Sequence, residues 1–287
     1  MELENNLFEQ RTDLSKLNGA IADIKTQLSK IIVGQEQMID LLLTGILANG
    51  HLLLEGVPGV AKTLTAKLIA KTFATQFSRI QFTPDLMPSD VTGTMIYNQK
   101  QGEFEFKKGP VFSNIVLIDE INRAPAKTQS ALFEVMEERQ ISVDGTTHPM
   151  NYPFVILATQ NPIEQEGTYR LPEAQLDRFL FKIEIDYPTL DEEFAILKMM
   201  NQLQGEKAEA KVDAVLSEED LKSIRQSVQE IRVEERLLRY IASIVDQTRN
   251  NNSLYLGAST RASLALLNGS KAMAAIQGRD FVIPEDI

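Results

Sequence analysis

The 287-residue sequence contains no cysteine, which excludes disulfides, thiol nucleophiles and cysteine-ligated zinc or iron–sulfur sites. Its two histidines, His51 and His148, are too few for a multi-histidine metal centre. No stretch approaches the ~20 apolar residues that a membrane-spanning helix needs. The first residues, MELENNLFEQ, are acidic and polar rather than a basic start before an apolar run, so a cytoplasmic protein is expected. Basic charge is in deficit: 29 Lys and Arg against 40 Asp and Glu leave a net charge of −11, which disfavours unspecific attraction to nucleic acid or to anionic membranes. What remains is ordinary for a folded chain, with 43% hydrophobic and 24% charged residues. The length suits one large domain or two unequal ones.

Leu14, Leu17, Ile21, Ile24 and Leu28 alternate spacings of three and four, the signature of an amphipathic helix. Ile39 to Ala48 reads as a second helix that ends at Asn49-Gly50, and the apolar run Leu52 to Leu54 is short enough for a buried strand. Further strands are expected at Ile80 to Phe82, Ile115 to Ile118, Phe154 to Ala158 and Leu180 to Ile185, with helices at Leu64 to Phe77 and Thr128 to Arg139. Strands alternating with helices argue for a parallel sheet covered on both faces. Two segments break that rhythm, and both read as β-hairpin insertions: Met95 to Tyr97 with Phe104 to Phe106, and Ile141 to Val143 before Asp144-Gly145. After Tyr187-Pro188 the pattern turns helical, at Leu190 to Gln204, Leu216 to Ile231, Glu235 to Arg249 and Thr260 to Gly278, with Gly205 to Val212 as a charged linker. The expected organisation is an N-terminal helix over 1–30, an α/β core over 31–188 and a helical domain over 189–287. Pro284 reads as the opening of one more helix, so the chain is expected to stop inside that domain.

The residues Gly56, Val57, Pro58, Gly59, Val60, Ala61, Lys62 and Thr63 lie between a predicted strand and a predicted helix. That is the setting of a phosphate-binding loop, in which backbone amides cradle the phosphates, Lys62 reaches the β- and γ-phosphates and the Thr63 hydroxyl meets Mg²⁺. Ala61 stands where the usual pattern has glycine. The strand Ile115 to Ile118 runs into Asp119 and Glu120, placed to hold Mg²⁺ and to activate a water for attack on the γ-phosphate. The plainer reading is a strand-end acid that caps the following turn. Asn161 ends the strand at Phe154 to Ala158 in a parallel position, where it either touches the attacking water or γ-phosphate or merely makes a turn before Pro162.

The set GVPGVAKT, VLIDEINRAPAKTQSALFEVMEERQISVDG, ATQNPIEQEGTYRLPEAQLDRFLFKI and GASTRAS closely resembles the MoxR family of AAA+ ATPases, from Ile32 onward. The alanine at position 61 is like that family's own form of the loop. The resemblance implies an α/β P-loop NTPase core, with a five-stranded parallel sheet sandwiched by helices and two β-hairpin insertions, followed by a small all-α lid. It implies ATP and Mg²⁺ as ligands and a homo-oligomeric, hexameric ring with nucleotide between subunits. Lys62 and Thr63 match the Walker A lysine and threonine, Asp119 and Glu120 match Walker B, and Asn161 matches sensor 1. Arg178 lies where related rings supply an arginine finger to the next subunit, Arg261 resembles the sensor 2 arginine of the lid, and Val33 and Gly34 fall in the segment that lies against adenine. Taken alone, either arginine reads equally as half of a surface ion pair. Arg123 and Arg170 are lesser candidates at the same interface.

Relatives of this kind are associated with von Willebrand factor A domain partners, in chaperone-like remodelling, assembly or metal insertion, and their hairpins point into the ring pore or toward a client. Lys100, Lys107 and Lys108 give the first hairpin positive charge. A magnesium-chelatase-like or DNA-acting motor is the nearest rival, disfavoured for DNA by the net charge. An ATP-gated assembly switch with little turnover is the other. His51 and His148 read as structural.

Overall fold

The computed structural model describes residues 14–57, 59–161, 169, 171–203 and 208–287. Helix α1 (Ser15–Ser29) buries Leu17, Ile21, Ile24 and Leu28, and α2 (Glu36–Leu47) leads through Asn49, in the left-handed region at φ 58°, into β1 (His51–Gly56). The apolar runs form strands because both of their faces are covered: β1, β5 (Ile115–Asp119) and β8 (Val155–Gln160) are almost wholly buried, as central parallel strands must be. With β2 (Phe77–Gln81) and β9 (Phe179–Ile185) they make a five-stranded parallel sheet in the order β2-β5-β8-β1-β9.

Helix α3 (Lys62–Thr72) follows the phosphate-loop sequence. It stops five residues short of the predicted end, and Phe77 opens β2 instead. The edge strand FSRIQ mixes polar and apolar residues because only its inner neighbour covers it, so its start carries little apolar signal. Helix α4 (Pro88–Thr92) precedes the hairpin of β3 (Gly93–Asn98) and β4 (Glu103–Lys108). Helix α5 (Ala126–Glu138) runs into the hairpin of β6 (Gln140–Val143) and β7 (Thr146–Pro149). His148 stacks on Phe106 with ring centroids 4.6 Å apart, which joins the two hairpins.

After the short α6 (Glu173–Leu176) and β9, the described elements are helical: α7 (Leu190–Leu203), α8 (Glu218–Gln229), α9 (Glu235–Arg249) and α10 (Thr260–Ile276). Helices α8 and α10 start at serine caps, where the Ser217 and Ser259 hydroxyls accept the amides of Asp220 and Ala262. Of the expected linker, Ala208–Lys211 is a 3₁₀ turn and Val212 is fully buried. Val215 and Leu216 donate their amides to the carbonyl of Thr72 at the end of α3. The chain therefore runs against the core here rather than free in solvent. Pro284–Asp286 forms a 3₁₀ turn where a further helix is expected.

One apolar cluster runs from α1 and α2 through α3 to α8 and α10. Arg225 of α8 fastens that contact: its Nε donates to the carbonyl of Ile46 at 2.8 Å and its Nη1 to Asn49 Oδ1 at 2.9 Å, a cation set on the carboxyl end of α2 where the helix dipole is negative. Arg139 donates to the same Asn49 Oδ1 and to the Asn49 carbonyl, at 2.8 and 2.7 Å. Among the described residues no helix is long and apolar enough to cross a membrane.

Candidate nucleotide site

The loop after β1 sits at the carboxyl end of the sheet and hands over to α3, whose first amides face the loop. Gly59 has φ 91° and Ala61 φ 56°. Ala61 thus occupies a left-handed position that a glycine adopts without strain, at a cost of about 1 kcal/mol. Lys62 donates from Nζ to the carbonyl of Gly56 at 2.6 Å, so its ammonium curls back over the loop. Burial draws its pKa below the usual lysine value, and the carboxylates of Asp119, Glu120 and Glu55 partly oppose that shift. Pro58, Arg170 and residues 162–168 lie outside the described residues.

Asp119 is buried at the end of β5, which β8 separates from β1, and Thr63 donates to its Oδ2 across 3.4 Å. Thr159, on β8, donates to Asp119 Oδ1 at 3.2 Å while its oxygen accepts the amide of Glu120 at 3.0 Å. One hydroxyl therefore fixes both acids. Glu120 itself has φ 57° and ψ 52°, a strained conformation for a residue with a Cβ, of the kind that persists at working sites. Its carboxylate accepts from Gln81 Nε2 at 2.8 Å and pairs with Arg123 Nε at 3.0 Å. Arg79 donates from Nε to Asp119 Oδ2 at 2.5 Å and from Nη2 to Gln81 Oε1 at 3.2 Å. Asn161 follows β8 and is buried beside these strand ends.

A hydroxyl and a carboxylate sharing one approach are hard oxygen donors, and Mg²⁺ commonly takes just one or two protein oxygens, with phosphate and water completing its shell. Thr63 and Asp119 fit that demand. No group of three or more acids and histidines suited to an all-protein cage occurs among the described residues.

Beside the loop lies a cavity of about 340 Å³ walled by Ile32, Val33, Val60, Leu64, Tyr187 and Ile196. Apolar walls next to a phosphate cradle suit a flat heterocyclic base. Val33 lines the cavity, whereas Gly34 shapes it through its backbone: at φ 66° it turns the chain, and an added Cβ would collide with a carboxylate oxygen of Glu192. Helix α7 closes the cavity with Ile196, Met199 and Met200.

Arg178 and Arg261 are not at this site. Both pair with Glu137 in the last turn of α5, Arg178 also donates to the carbonyl of Phe133 at 3.2 Å, and Arg261 lies 3.7 Å from Asp177. Asp177 in turn accepts the Ser259 hydroxyl at 2.7 Å. The hydrogen bond from Arg178, and then the charges of both guanidiniums, hold the Glu137 carboxyl below its ordinary pKa. Arg178 Nε is buried yet meets no acceptor among the described residues. Asn49, Gly50 and His51 line a second cavity together with Arg178 and Arg261, which puts the two arginines at the amino end of β1, roughly 16 Å of strand away from Gly56. The ion-pair reading thus holds for both arginines in this structure, and the sheet separates them from their own chain's loop.

Arg79, Gln81 and Thr159 escaped the sequence reading. Arg79 and Gln81 belong to no phosphate motif, and their one signal is a two-residue spacing on a strand. Thr159 stands inside the segment that ends in Asn161.

The family described as ATPase family associated with various cellular activities matches residues 51–181, and the AAA lid domain matches residues 246–287. YeaC of Bacillus subtilis is 47% identical over 96% of this chain and 84% of its own length. Chaperone MoxR1 of Mycobacterium tuberculosis is 46% identical over 96% of this chain and 73% of its own. The chain belongs to the MoxR family of AAA+ ATPases. A crystal structure of a candidate ATPase from Cytophaga hutchinsonii, 46% identical, superposes on this MoxR-type fold with a TM-score of 0.87, covering 100% of this chain and 87% of that one. An AAA+ core with a lid domain accounts for the five-stranded sheet, the hairpins and the terminal helices together.

Proposed function

We propose that this MoxR-type protein hydrolyses ATP with Mg²⁺ in a homo-oligomeric, hexameric ring, and that it uses the cycle for chaperone-like remodelling, assembly or metal insertion in a partner protein. The observation that carries this reading is the convergence of Lys62, Thr63, Asp119 and Glu120 on one edge of the sheet, with Arg178 and Arg261 on the other. The core over 31–188 binds nucleotide and the helical region over 189–287 acts as its lid.

In this account ATP lies with its base against Val33 and its phosphates on the loop of residues 56–63, whose amides, apart from the hydrogen-less nitrogen of Pro58, can donate to them. Lys62 leaves the Gly56 carbonyl for the terminal phosphates. Thr63 and Asp119 hold Mg²⁺, whose charge offsets that of the phosphates. Glu120, freed from Gln81, takes a proton from the attacking water, and Asn161 steadies that water. Charge that builds on the transferring phosphoryl group needs a guanidinium, worth ~10³ or more in rate when a neighbour supplies it. Arg178 and Arg261 stand on the edge a neighbouring copy would present, so both act in trans, leaving Glu137 for the next subunit's γ-phosphate. The exposed pair Tyr97 and Phe104 near the first hairpin's tip is the surface offered to a client. Lys108 is engaged at the base of that hairpin, over the Phe112 ring at 4.9 Å. A von Willebrand factor A domain protein is the partner class that the family resemblance favours.

Phosphate release from ATP and Mg²⁺ tests the reading over a range of protein concentrations. Specific activity should rise with concentration and fall by about 10² or more in both Glu120→Gln and Arg178→Ala. Nucleotide binding without turnover at any concentration would replace the motor with an ATP-gated switch.

A further inference from the structure

Asp119 Oδ2 is claimed twice. The Thr63 hydroxyl approaches it at 3.4 Å, and the Arg79 guanidinium sits on it at 2.5 Å. A cation shared by Thr63 and Asp119 would take that same oxygen, and a guanidinium and a divalent ion repel each other too strongly to share it. Arg79 is well placed to yield: it stands on the edge strand β2 with its side chain 52% exposed, so the swung-out form regains water. Its second contact reaches further. Nη2 donates to Gln81 Oε1 at 3.2 Å, which leaves Gln81 only its amide nitrogen to offer Glu120, and that nitrogen is the one found on Glu120 Oε2 at 2.8 Å. Arg79 and Gln81 share a face because they are two residues apart on one strand. Their register opposite Leu117 and Asp119 brings that face to the two acids.

We propose that Arg79 is the counter-ion that holds Asp119 and fixes the Gln81 amide before nucleotide arrives, and that Mg²⁺ entering with ATP displaces it. Its departure removes the anchor that points the Gln81 amide at Glu120, so one of the two contacts on the general base, the other being Arg123, is loosened when the metal is in place. A single residue outside the phosphate-loop and strand-end motifs thereby ties metal occupancy to the state of the base. This rests on the ATPase reading above, and binding separates the two.

The test is titration of the full chain with a fluorescent, non-hydrolysable ATP analogue (mant-AMPPNP), once in excess Mg²⁺ and once in EDTA. Loss of the competing cation in Arg79→Ala should tighten binding of the Mg²⁺ complex about fivefold, the scale of one charge-assisted contact, with EDTA binding changed by less than about twofold. Arg79→Gln, which keeps a polar side chain on the edge strand, should behave likewise, and Arg79→Lys should return the wild-type constants. Binding of the Mg²⁺ complex that is unchanged or weaker in Arg79→Ala and Arg79→Gln overturns the proposal. Weakening in both buffers would make Arg79 a phosphate ligand instead. A wild-type chain that binds the analogue in neither buffer overturns the nucleotide reading itself, whatever Arg79 does.

Discussion

Glu120 and His51 show opposite uses of confinement. Glu120 is held in a left-handed conformation at the mouth of the site, with Gln81 and Arg123 on its carboxylate, contacts that would restrain it as the base of the proposed reaction. His51 is buried at the far end of β1: Nδ1 accepts the amide of Ile156 at 2.9 Å, so Nε2 carries the hydrogen that reaches the Met136 carbonyl at 3.1 Å. Burial, followed by the charge of Arg139, lowers the His51 pKa to about 3. The unfolded chain binds a proton near pH 6.5 that the folded chain refuses until about pH 3. His51 therefore destabilises the fold as pH falls through that window, by roughly 1.4 kcal/mol per unit once below the unfolded pKa. Urea denaturation should show this between pH 7 and 5, and His51→Gln should flatten the pH dependence there. An equal slope in the variant would assign it to other groups.

At the scale of elements, the turn between α2 and β1 ties α8 to the core. Asn49 gives one side-chain oxygen to Arg139, at the start of the second hairpin, and to Arg225 of α8. Burial draws both arginine pKa values below the usual, so each guanidinium leans on its protein acceptors. Asn49→Ala leaves those guanidiniums short of a partner and should cost about 1–3 kcal/mol. A lower urea midpoint with unaltered mant-AMPPNP affinity is the expected result, and an unchanged midpoint would contradict it. Which elements exist was readable from sequence where burial imposes an apolar run: Leu52 to Leu54 and Ile115 to Ile118 lie in central strands. The edge strand was half hidden because water covers its outer side, which also hid Arg79 and Gln81. Amphipathic spacing identified α8 and α10 but says only that one face is buried, not against what. Val212 joins the apolar cluster of α1 to α3 and Arg225 reaches the end of α2, and nothing in their spacing could announce it.

For the whole molecule, position separates what a motif pairs. The phosphate loop and the two acids were legible together because a strand followed by a glycine-rich turn or by acids fixes them at one sheet edge. Arg178 and Arg261 carry no such local geometry. Only the folded chain places them together on Glu137, at the amino ends of the strands. In the proposed ring, a phosphate loop on one edge and two arginines on the other would make the subunits repeat head to tail, and such heterologous contacts close into rings when the rotation permits.

Mixing two inactive variants tests that arrangement most directly. Lys62→Ala removes the loop lysine and keeps the arginines, while Arg178→Ala does the reverse. If each site is completed by the next subunit, an equal mixture regains phosphate release although neither variant works alone, up to about a quarter of the wild-type rate for random neighbours in a ring. A mixture as inactive as its components, beside an active wild type, would contradict a site shared between subunits.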